Sequence, residues 1–153
     1  MEFQMFLIWH NAIEEYSYII QRLSSCFLIK RVYETTWTRE ETLNNMMQLY
    51  QCTFTQAQAK LSECGYGTII IIVVEDIEPI SKLYLTKYGK IFVNKHAQEI
   101  KTEIRTSFKG KNLIHGTMTD FEFENDIKIC LNCTQDEFFK KNKTEWDGDV
   151  CKI

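Results

Sequence analysis

The apolar run TIIIIVV at residues 68–74 is the feature that most constrains the fold of this chain. Successive side chains of a β-strand point to opposite faces of a sheet, so a half-exposed strand alternates apolar and polar residues. This run does not alternate, and a strand that is apolar on both sides is covered on both faces. It is also far shorter than the ~20 apolar residues of a membrane span. We therefore expect a central strand with a layer of structure on each side of its sheet.

The first fifty residues alternate strand-like and helix-like segments. MFLIWH (5–10) and CFLIKRVYETTW (26–37) have the length and the bulky composition of strands. Between them, NAIEEYSYIIQRLSS (11–25) carries apolar residues at helical spacing. Thr38, with Glu41 three residues later, has the capping-box pattern that begins a helix. This β-α-β-α order favours a mixed α/β sheet over an all-helical bundle.

The second half of the chain predicts a hairpin followed by helices. SKLYLTKYGKIFVN (81–94) contains two strand-like halves around a Tyr-Gly-Lys turn. KHAQEIKTEIRTSF (95–108) and DFEFENDIKICL (120–131) each place their apolar residues on one helical face. TQDEFFKKN (134–142) is typical of a short terminal helix.

Together these segments predict one α/β domain. We expect a mixed β-sheet of about four to five strands flanked by helices over residues 1–145, with 146–153 as a loose C-terminal tail. The length of 153 residues is enough for a single core, and one proline and six glycines indicate mostly regular structure.

Charge and composition exclude several classes of protein. The formal net charge of −3 provides no basic footprint for nucleic acid or for an anionic membrane. The N-terminus MEFQMFLIWH lacks the basic region and the long apolar stretch of a signal peptide. We therefore expect a cytoplasmic protein whose partner is a small molecule or another protein.

The six cysteines predict free thiols rather than disulfides or a metal centre. A reducing compartment disfavours disulfides. Cys130 and Cys133 form one C-x-x-C pair, and only Cys151 is available as a third ligand, with no nearby histidine to complete a zinc site. No metal site is predicted, and no cofactor is assigned.

The segment KNLIHGTMTDFEFEND (111–126) contains the most unusual pattern in the chain. Part of its acidity has a local explanation, because Thr119 and Glu122 form a second capping-box pattern, and acidic residues favour a helix N-terminus. The Ile-His-Gly-Thr sequence has no such explanation. An imidazole before a glycine combines a titratable group with backbone that a ligand can approach closely.

Other charged residues extend this candidate site. Lys101 and Arg105 are four residues apart on a predicted helix, so they project from the same face and suit phosphate or carboxylate. Asp76 follows the apolar strand, where ligands of open α/β sheets gather. The predicted catalytic residues are His115, Asp76 and Asp126, and the predicted ligand-binding residues are Lys101, Arg105, Gly116, Thr117 and Glu122.

Several motifs resemble those of a family of uncharacterised bacterial domains that is loosely associated with surface-polysaccharide gene neighbourhoods. LIWHNA (7–12) is similar to an Ile-Trp-Glu-x-Ala opening, and VYETTW (32–37) to a Val-Tyr-Glu-x-x-Trp strand end. CGYG (64–67) is similar to a Cys-Gly-x-Gly turn before an apolar strand. Residues 101–131 resemble a Lys-x-x-x-Arg helix followed by Ile-His-Gly-Thr and a further helix.

The resemblance implies a shared site but no particular activity. The positions held in common are Trp9, Glu34, Asp76, Lys101, Arg105, His115, Gly116, Thr117, Glu122 and Asp126. The chain departs from the pattern at His10, which replaces an acid, at Glu75, which replaces a basic residue, and at Gly110, the remnant of a glycine-rich loop. These departures are typical of a degenerate or repurposed member.

Two functions are the main candidates from the sequence, and nucleic-acid binding is a third that the acidic charge disfavours. The first is binding or processing of a phosphorylated small molecule, such as a nucleotide or a sugar nucleotide, at a cleft of Lys, Arg, His and Asp side chains. The second is a non-catalytic protein-interaction module, in which Lys101 and Arg105 pair with Glu122 and Asp126. The absence of a phosphate loop, a nucleophile elbow and a dinucleotide fingerprint favours the second. The richness in Asn, Lys and Ile is typical of a virus or a low-GC microbe. Two cations, one imidazole and several carboxylates on adjacent predicted elements favour the first function, by a narrow margin.

Overall fold

The computed structural model describes residues 2–153. The strands are β1 (Glu2–Ile8), β2 (Leu28–Trp37), β3 (Gly67–Asp76), β4 (Ser81–Thr86), β5 (Gly89–Asn94), β6 (Ile114–Gly116) and β7 (Val150–Lys152). The α-helices are α1 (Tyr16–Cys26), α2 (Arg39–Tyr50), α3 (Phe54–Cys64), α4 (Lys95–Ser107), α5 (Asp120–Leu131) and α6 (Gln135–Lys141), and a 3-10 helix covers His10–Glu15.

The main sheet is five-stranded, with the order β6-β1-β3-β2-β7. The apolar run forms β3 at its centre, where β3 pairs antiparallel with β1 and β2. Strand β6 pairs antiparallel with β1, whereas β7 pairs parallel with β2, so the sheet is mixed. The predicted α/β class, with a mixed sheet of four to five strands flanked by helices, is confirmed.

The two faces of the sheet bury separate cores, as the unbroken apolar run predicts. Alternate residues of β3, such as Ile71 and Val73, pack on one side with side chains of α2, α3, α5 and α6. The intervening residues, such as Ile72 and Val74, pack on the other side with α1 and α4. Helices therefore cover both faces.

Of the two predicted capping boxes, the one at Thr38 is complete and the one at Thr119 is half formed. The Thr38 side chain accepts from the Glu41 backbone N–H, and Glu41 reaches back to the Thr38 backbone, which completes a capping box. The Thr119 hydroxyl accepts from the Glu122 backbone N–H at the start of α5. These local bonds fix the first residue of each helix.

The hairpin β4–β5 is present but lies outside the main sheet. Its strands pair only with each other, with Ser81 opposite Asn94 and Thr86 opposite Gly89. The hairpin is thus a separate two-stranded sheet that projects beside α4.

The C-terminal segment 146–153, expected to be a loose tail, instead extends the sheet. Val150 pairs with Val32 and Lys152 with Glu34, which makes β7 an edge strand. The Trp146 side chain also packs against the core beneath α1 and α4. The sequence pattern missed this because all three β7 residues are exposed, so their pairing depends on backbone hydrogen bonds rather than on apolar side chains. Across residues 2–153, no helix is both long enough and apolar enough to cross a membrane.

Candidate functional site

The Ile-His-Gly-Thr segment lies beside a large cleft in the protein surface. Residues Ile114–Gly116 form the short edge strand β6, in which His115 pairs with Leu7 of β1. The chain then turns directly into α5. The cleft has a volume of about 1100 Å³ and is bounded by the end of α2, by α3, α4 and α5, and by one face of the β4–β5 hairpin.

His115 and Asp126 form a buried pair at the edge of this cleft. The His115 Nε2 atom is 2.6 Å from Asp126 Oδ2, and the two residues are only 5% and 2% exposed. The Asn125 amide donates to the other carboxylate oxygen at 3.1 Å. A carboxylate in this position fixes the orientation of the ring and its tautomer.

The second ring nitrogen of His115 remains accessible. Among residues 2–153, Gln4 Nε2 is the buried side-chain nitrogen or oxygen atom that lacks a hydrogen-bond partner. Within the same residues the His115 Nδ1 atom has no hydrogen-bond partner either, and since it is not one of the buried unpartnered atoms it keeps some contact with solvent. With Nε2–H donated to Asp126, the lone pair of the ring is on Nδ1, and His115 lines the cleft.

The Tyr50 ring packs against the His115 imidazole. Its ring meets the His115 ring edge-on, with the centroids 4.8 Å apart. The Trp9 indole N–H donates to the Tyr50 hydroxyl oxygen at 2.9 Å, and the Lys60 ammonium lies 4.1 Å from the centre of the Tyr50 ring. Burial raises the pKa of Tyr50, so this phenol stays neutral.

Lys101 and Arg105 project from one face of α4, as their spacing predicts. Lys101 Nζ donates to the Gly116 carbonyl at 3.1 Å, and Arg105 donates to the Ile114 carbonyl through Nε and Nη2 at 3.3 and 3.1 Å. The spacing of the two donors matches the spacing of the two carbonyls. The four residues from Lys101 to Arg105 rise about 6 Å along the helix, and the two residues from Ile114 to Gly116 span about 6.6 Å along the strand. The cations thus satisfy the outward carbonyls of the edge strand on both sides of His115.

These contacts leave further N–H donors free on both cations. Lys101 keeps two of its three ammonium protons for other partners, and Arg105 keeps most of its guanidinium fork. Burial, and then the neighbouring Arg105 charge, lower the pKa of Lys101 to about 8. Within residues 2–153, neither cation forms the ion pair with Glu122 or Asp126 that an interaction module predicts.

Gly116 lines the cleft, whereas Thr117 does not. A Cβ atom on Gly116 would lie 2.8 Å from the Phe6 ring and 3.2 Å from Lys101 Cδ, so only glycine fits. Thr117 is fully buried, where its hydroxyl accepts from the Met5 N–H at 2.9 Å and donates to Gln4 Oε1 at 2.5 Å. Its predicted ligand-binding role has no geometric support.

Glu122 lines the cleft, but its carboxylate already accepts a hydrogen bond within the protein. Its Oε1 atom accepts from the Met118 backbone N–H at 3.1 Å and lies 3.3 Å from the Thr119 hydroxyl. The side chain therefore closes the turn into α5 at the Met118 N–H rather than at the Thr119 N–H that a capping box uses, so the predicted capping box is only half formed.

Asp76 does not join the cleft, in contrast to the expectation from its place after the apolar strand. Its carboxylate accepts from Asn94 Nδ2 at 2.9 Å and lies 2.8 Å from His96 Nδ1. The strand register explains the separation, because Asp76 pairs with Glu2 while His115 lies beside Leu7, which pairs with Ile71. Five residues along a strand span about 17 Å. Asp126 supplies the carboxylate beside His115 instead.

Most residues that line the cleft are not among the predicted site residues, and these include Tyr50, Lys60 and Lys87. No local pattern marks these three, because α2, α3 and the hairpin bring them to the cleft from distant parts of the chain. Within residues 2–153, no three His, Cys, Asp or Glu side chains are placed to hold a metal ion.

Comparisons with known proteins identify the fold. No protein-family model and no curated protein matches the chain. The structure is similar to nucleoside diphosphate kinase from Encephalitozoon cuniculi, with a TM-score of 0.57 and 20% identity over 87% of this chain and 90% of that one. It is also similar to the Aquifex aeolicus nucleoside diphosphate kinase, with a TM-score of 0.53 and 18% identity over 84% and 93% of the two chains. At these identities the likeness establishes a shared fold.

Proposed function

We propose that the chain binds a nucleotide in the His115 cleft and transfers its terminal phosphoryl group through the His115 ring. The observation that carries this proposal is the setting of one imidazole. His115 lines the cleft, its Nε2 atom is bound by Asp126, its Nδ1 atom has no hydrogen-bond partner among residues 2–153, and Lys101 and Arg105 donate to the carbonyls on either side of it.

The arrangement suits covalent phosphoryl transfer. Histidine is one of the side chains that form covalent intermediates. The Nδ1 lone pair attacks the terminal phosphorus of a nucleoside triphosphate, the bond from that phosphorus to the bridging oxygen breaks, and the nucleoside diphosphate leaves with the electron pair. Nε2 keeps its proton, and the Asp126 carboxylate balances the positive charge of the ring. Transfer to a second nucleoside diphosphate restores the free imidazole.

The cations provide the electrostatic part of the reaction. Catalysis of phosphoryl transfer consists mainly of positioning and charge stabilisation. Lys101 and Arg105 are fixed by their backbone contacts, so their remaining N–H groups are already oriented when a phosphate arrives. Lys60 and Lys87 add positive charge to the other walls.

The fold neighbours support a nucleotide as the ligand. Both are named as kinases of nucleoside diphosphates, and they share the fold of this chain over most of its length. This favours a nucleotide over a sugar nucleotide, and phosphoryl transfer over a purely structural role.

The direct test is phosphorylation of the protein. Incubation with ATP that carries a radioactive terminal phosphate is expected to label the chain with an acid-labile, alkali-stable phosphate, and addition of a nucleoside diphosphate is expected to remove it. His115→Ala abolishes the label. His96→Ala is the matched control, because His96 also contacts a buried aspartate, Asp76, but lies outside the cleft. Absence of label, or label that persists in His115→Ala, contradicts transfer through this ring.

Binding is tested separately by calorimetry. Arg105→Ala is expected to weaken ADP binding about 10-fold or more, since a charge-assisted hydrogen bond contributes about 1.5–3 kcal/mol. If ADP, GDP and the corresponding triphosphates all fail to bind the unmodified chain, the nucleotide proposal is wrong.

A further inference from the structure

The β4–β5 hairpin covers the His115 cleft with one of its faces. Tyr84, Thr86 and Ile91 line the cleft. The opposite face carries Leu83 and Phe92, which pair across the strands and are 53% and 71% exposed. A two-stranded hairpin without a third strand is marginally stable by itself. Its position therefore depends on what holds its two ends.

The base of the hairpin is fixed by backbone hydrogen bonds. The Asn94 N–H donates to the Met118 carbonyl and the Lys95 N–H to the Ile80 carbonyl, both at 2.8 Å. The Asn94 side chain also caps α4 by accepting from the Ala97 N–H at 2.8 Å. This end is an anchored hinge.

The tip of the hairpin is held by side chains alone. Lys87 Nζ donates to the Tyr50 carbonyl at 2.6 Å and to the Gln51 carbonyl at 3.3 Å. The Tyr88 hydroxyl donates to Gln51 Oε1 at 2.8 Å. These acceptors lie at the C-terminal end of α2, where carbonyls lack helical partners and the helix dipole favours a cation.

We propose that the β4–β5 hairpin is a lid that swings away from α2 to admit and release the ligand, and that Lys87 and Tyr88 are its latch. The assignment of the ligand as a nucleotide rests on the proposed function, whereas the latch rests on the contacts at the tip. The Tyr50 carbonyl is part of the latch, and the Tyr50 ring touches His115. Closing the lid therefore also holds the residue that orients the imidazole.

The latch is tested first without a ligand. In hydrogen–deuterium exchange, Lys87→Met and Tyr88→Phe are each expected to accelerate exchange of the amides in 81–94 about fivefold, the effect of losing one hydrogen bond, while the amides of β3 are unchanged. Lys90→Met is the control, because Lys90 lies opposite Leu85 on the outer face of the same hairpin. Unchanged exchange, or an equal rise in Lys90→Met, overturns the latch.

The lid is tested with a fluorescent ADP analogue in stopped flow. Tyr88→Phe removes a latch hydrogen bond without changing the charge of the cleft, and it is expected to release the analogue about fivefold faster than the unmodified chain, with Lys90→Met unchanged. If amide exchange in 81–94 becomes faster but the dissociation rate of the analogue does not change, the hairpin does not gate the cleft and the lid proposal is wrong. Failure of the unmodified chain to bind any nucleotide overturns the proposed function and the nucleotide lid together, and the exchange experiment then still decides whether the latch exists.

Discussion

Replacement of Lys101 by methionine is expected to stabilise the protein at neutral pH and to lose that advantage as the pH rises. The Lys101 ammonium is charged in a buried setting beside Arg105, and this lowers its pKa from the usual 10.5 to about 8. Because the folded state binds the proton less tightly than the unfolded chain, the charged lysine opposes folding. Lys101→Met keeps the length of the side chain and removes the charge.

The magnitude follows from the two pKa values of Lys101. A decrease from 10.5 to about 8 corresponds to a cost on the order of 3 kcal/mol, at about 1.4 kcal/mol for each tenfold change in proton affinity. The hydrogen bond to the Gly116 carbonyl offsets about 1 kcal/mol of this. We expect the variant to be about 2 kcal/mol more stable at pH 7.

The pH dependence has a definite sign. Below the folded pKa of about 8 the cost of charging is fully present. Between there and the unfolded value of 10.5, the folded lysine has released its proton while the unfolded lysine retains it, so the free energy of unfolding of the unmodified chain rises with pH. The difference between the two proteins therefore shrinks over this range.

The assay is urea unfolding of both proteins at several pH values from 6 to 10. Lys90→Met serves as the control, because Lys90 is exposed, and its effect is expected to be small at every pH. A stability difference for Lys101→Met that does not change with pH, or one that grows above pH 8, refutes the claim that Lys101 is desolvated beside Arg105.

Three further substitutions test individual contacts. Asp126→Asn keeps the shape of the side chain but removes the charge that balances the His115 ring, so the rate of His115 labelling is expected to fall about 5- to 30-fold. Asp76→Asn weakens the contacts to Asn94 and His96 and is expected to lower the melting temperature, while ADP affinity in calorimetry stays unchanged because Asp76 lies outside the cleft. Gly116→Ala forces a Cβ against Phe6 and is expected to cost about 1–3 kcal/mol in urea unfolding. An unchanged labelling rate in Asp126→Asn contradicts the role of the carboxylate beside His115. Loss of ADP binding in Asp76→Asn contradicts the placement of Asp76 outside the cleft, and an unchanged free energy of unfolding in Gly116→Ala contradicts the close contact with Phe6.

The parts of this protein that the sequence determines by itself are those fixed by neighbouring residues. The unbroken apolar run predicts the buried central strand, because side-chain alternation is a local property of a strand. The capping of α5 by Thr119 depends on residues three positions apart. The shared face of Lys101 and Arg105 follows from helical periodicity alone. The Ile-His-Gly-Thr pattern also marks the correct wall of the cleft.

Tertiary structure decides which groups meet across long stretches of chain. The sequence predicts both Asp76 and Asp126 as catalytic residues together with His115. The pairing of β1 with β3 and with β6 places Asp76 far from His115, and the packing of α5 places Asp126 beside it. The approach of Tyr50 to the imidazole, the isolation of the hairpin from the main sheet and the pairing of β7 have the same origin. Strand register and helix packing are set by the sum of many distant contacts, so no short segment of the sequence encodes them.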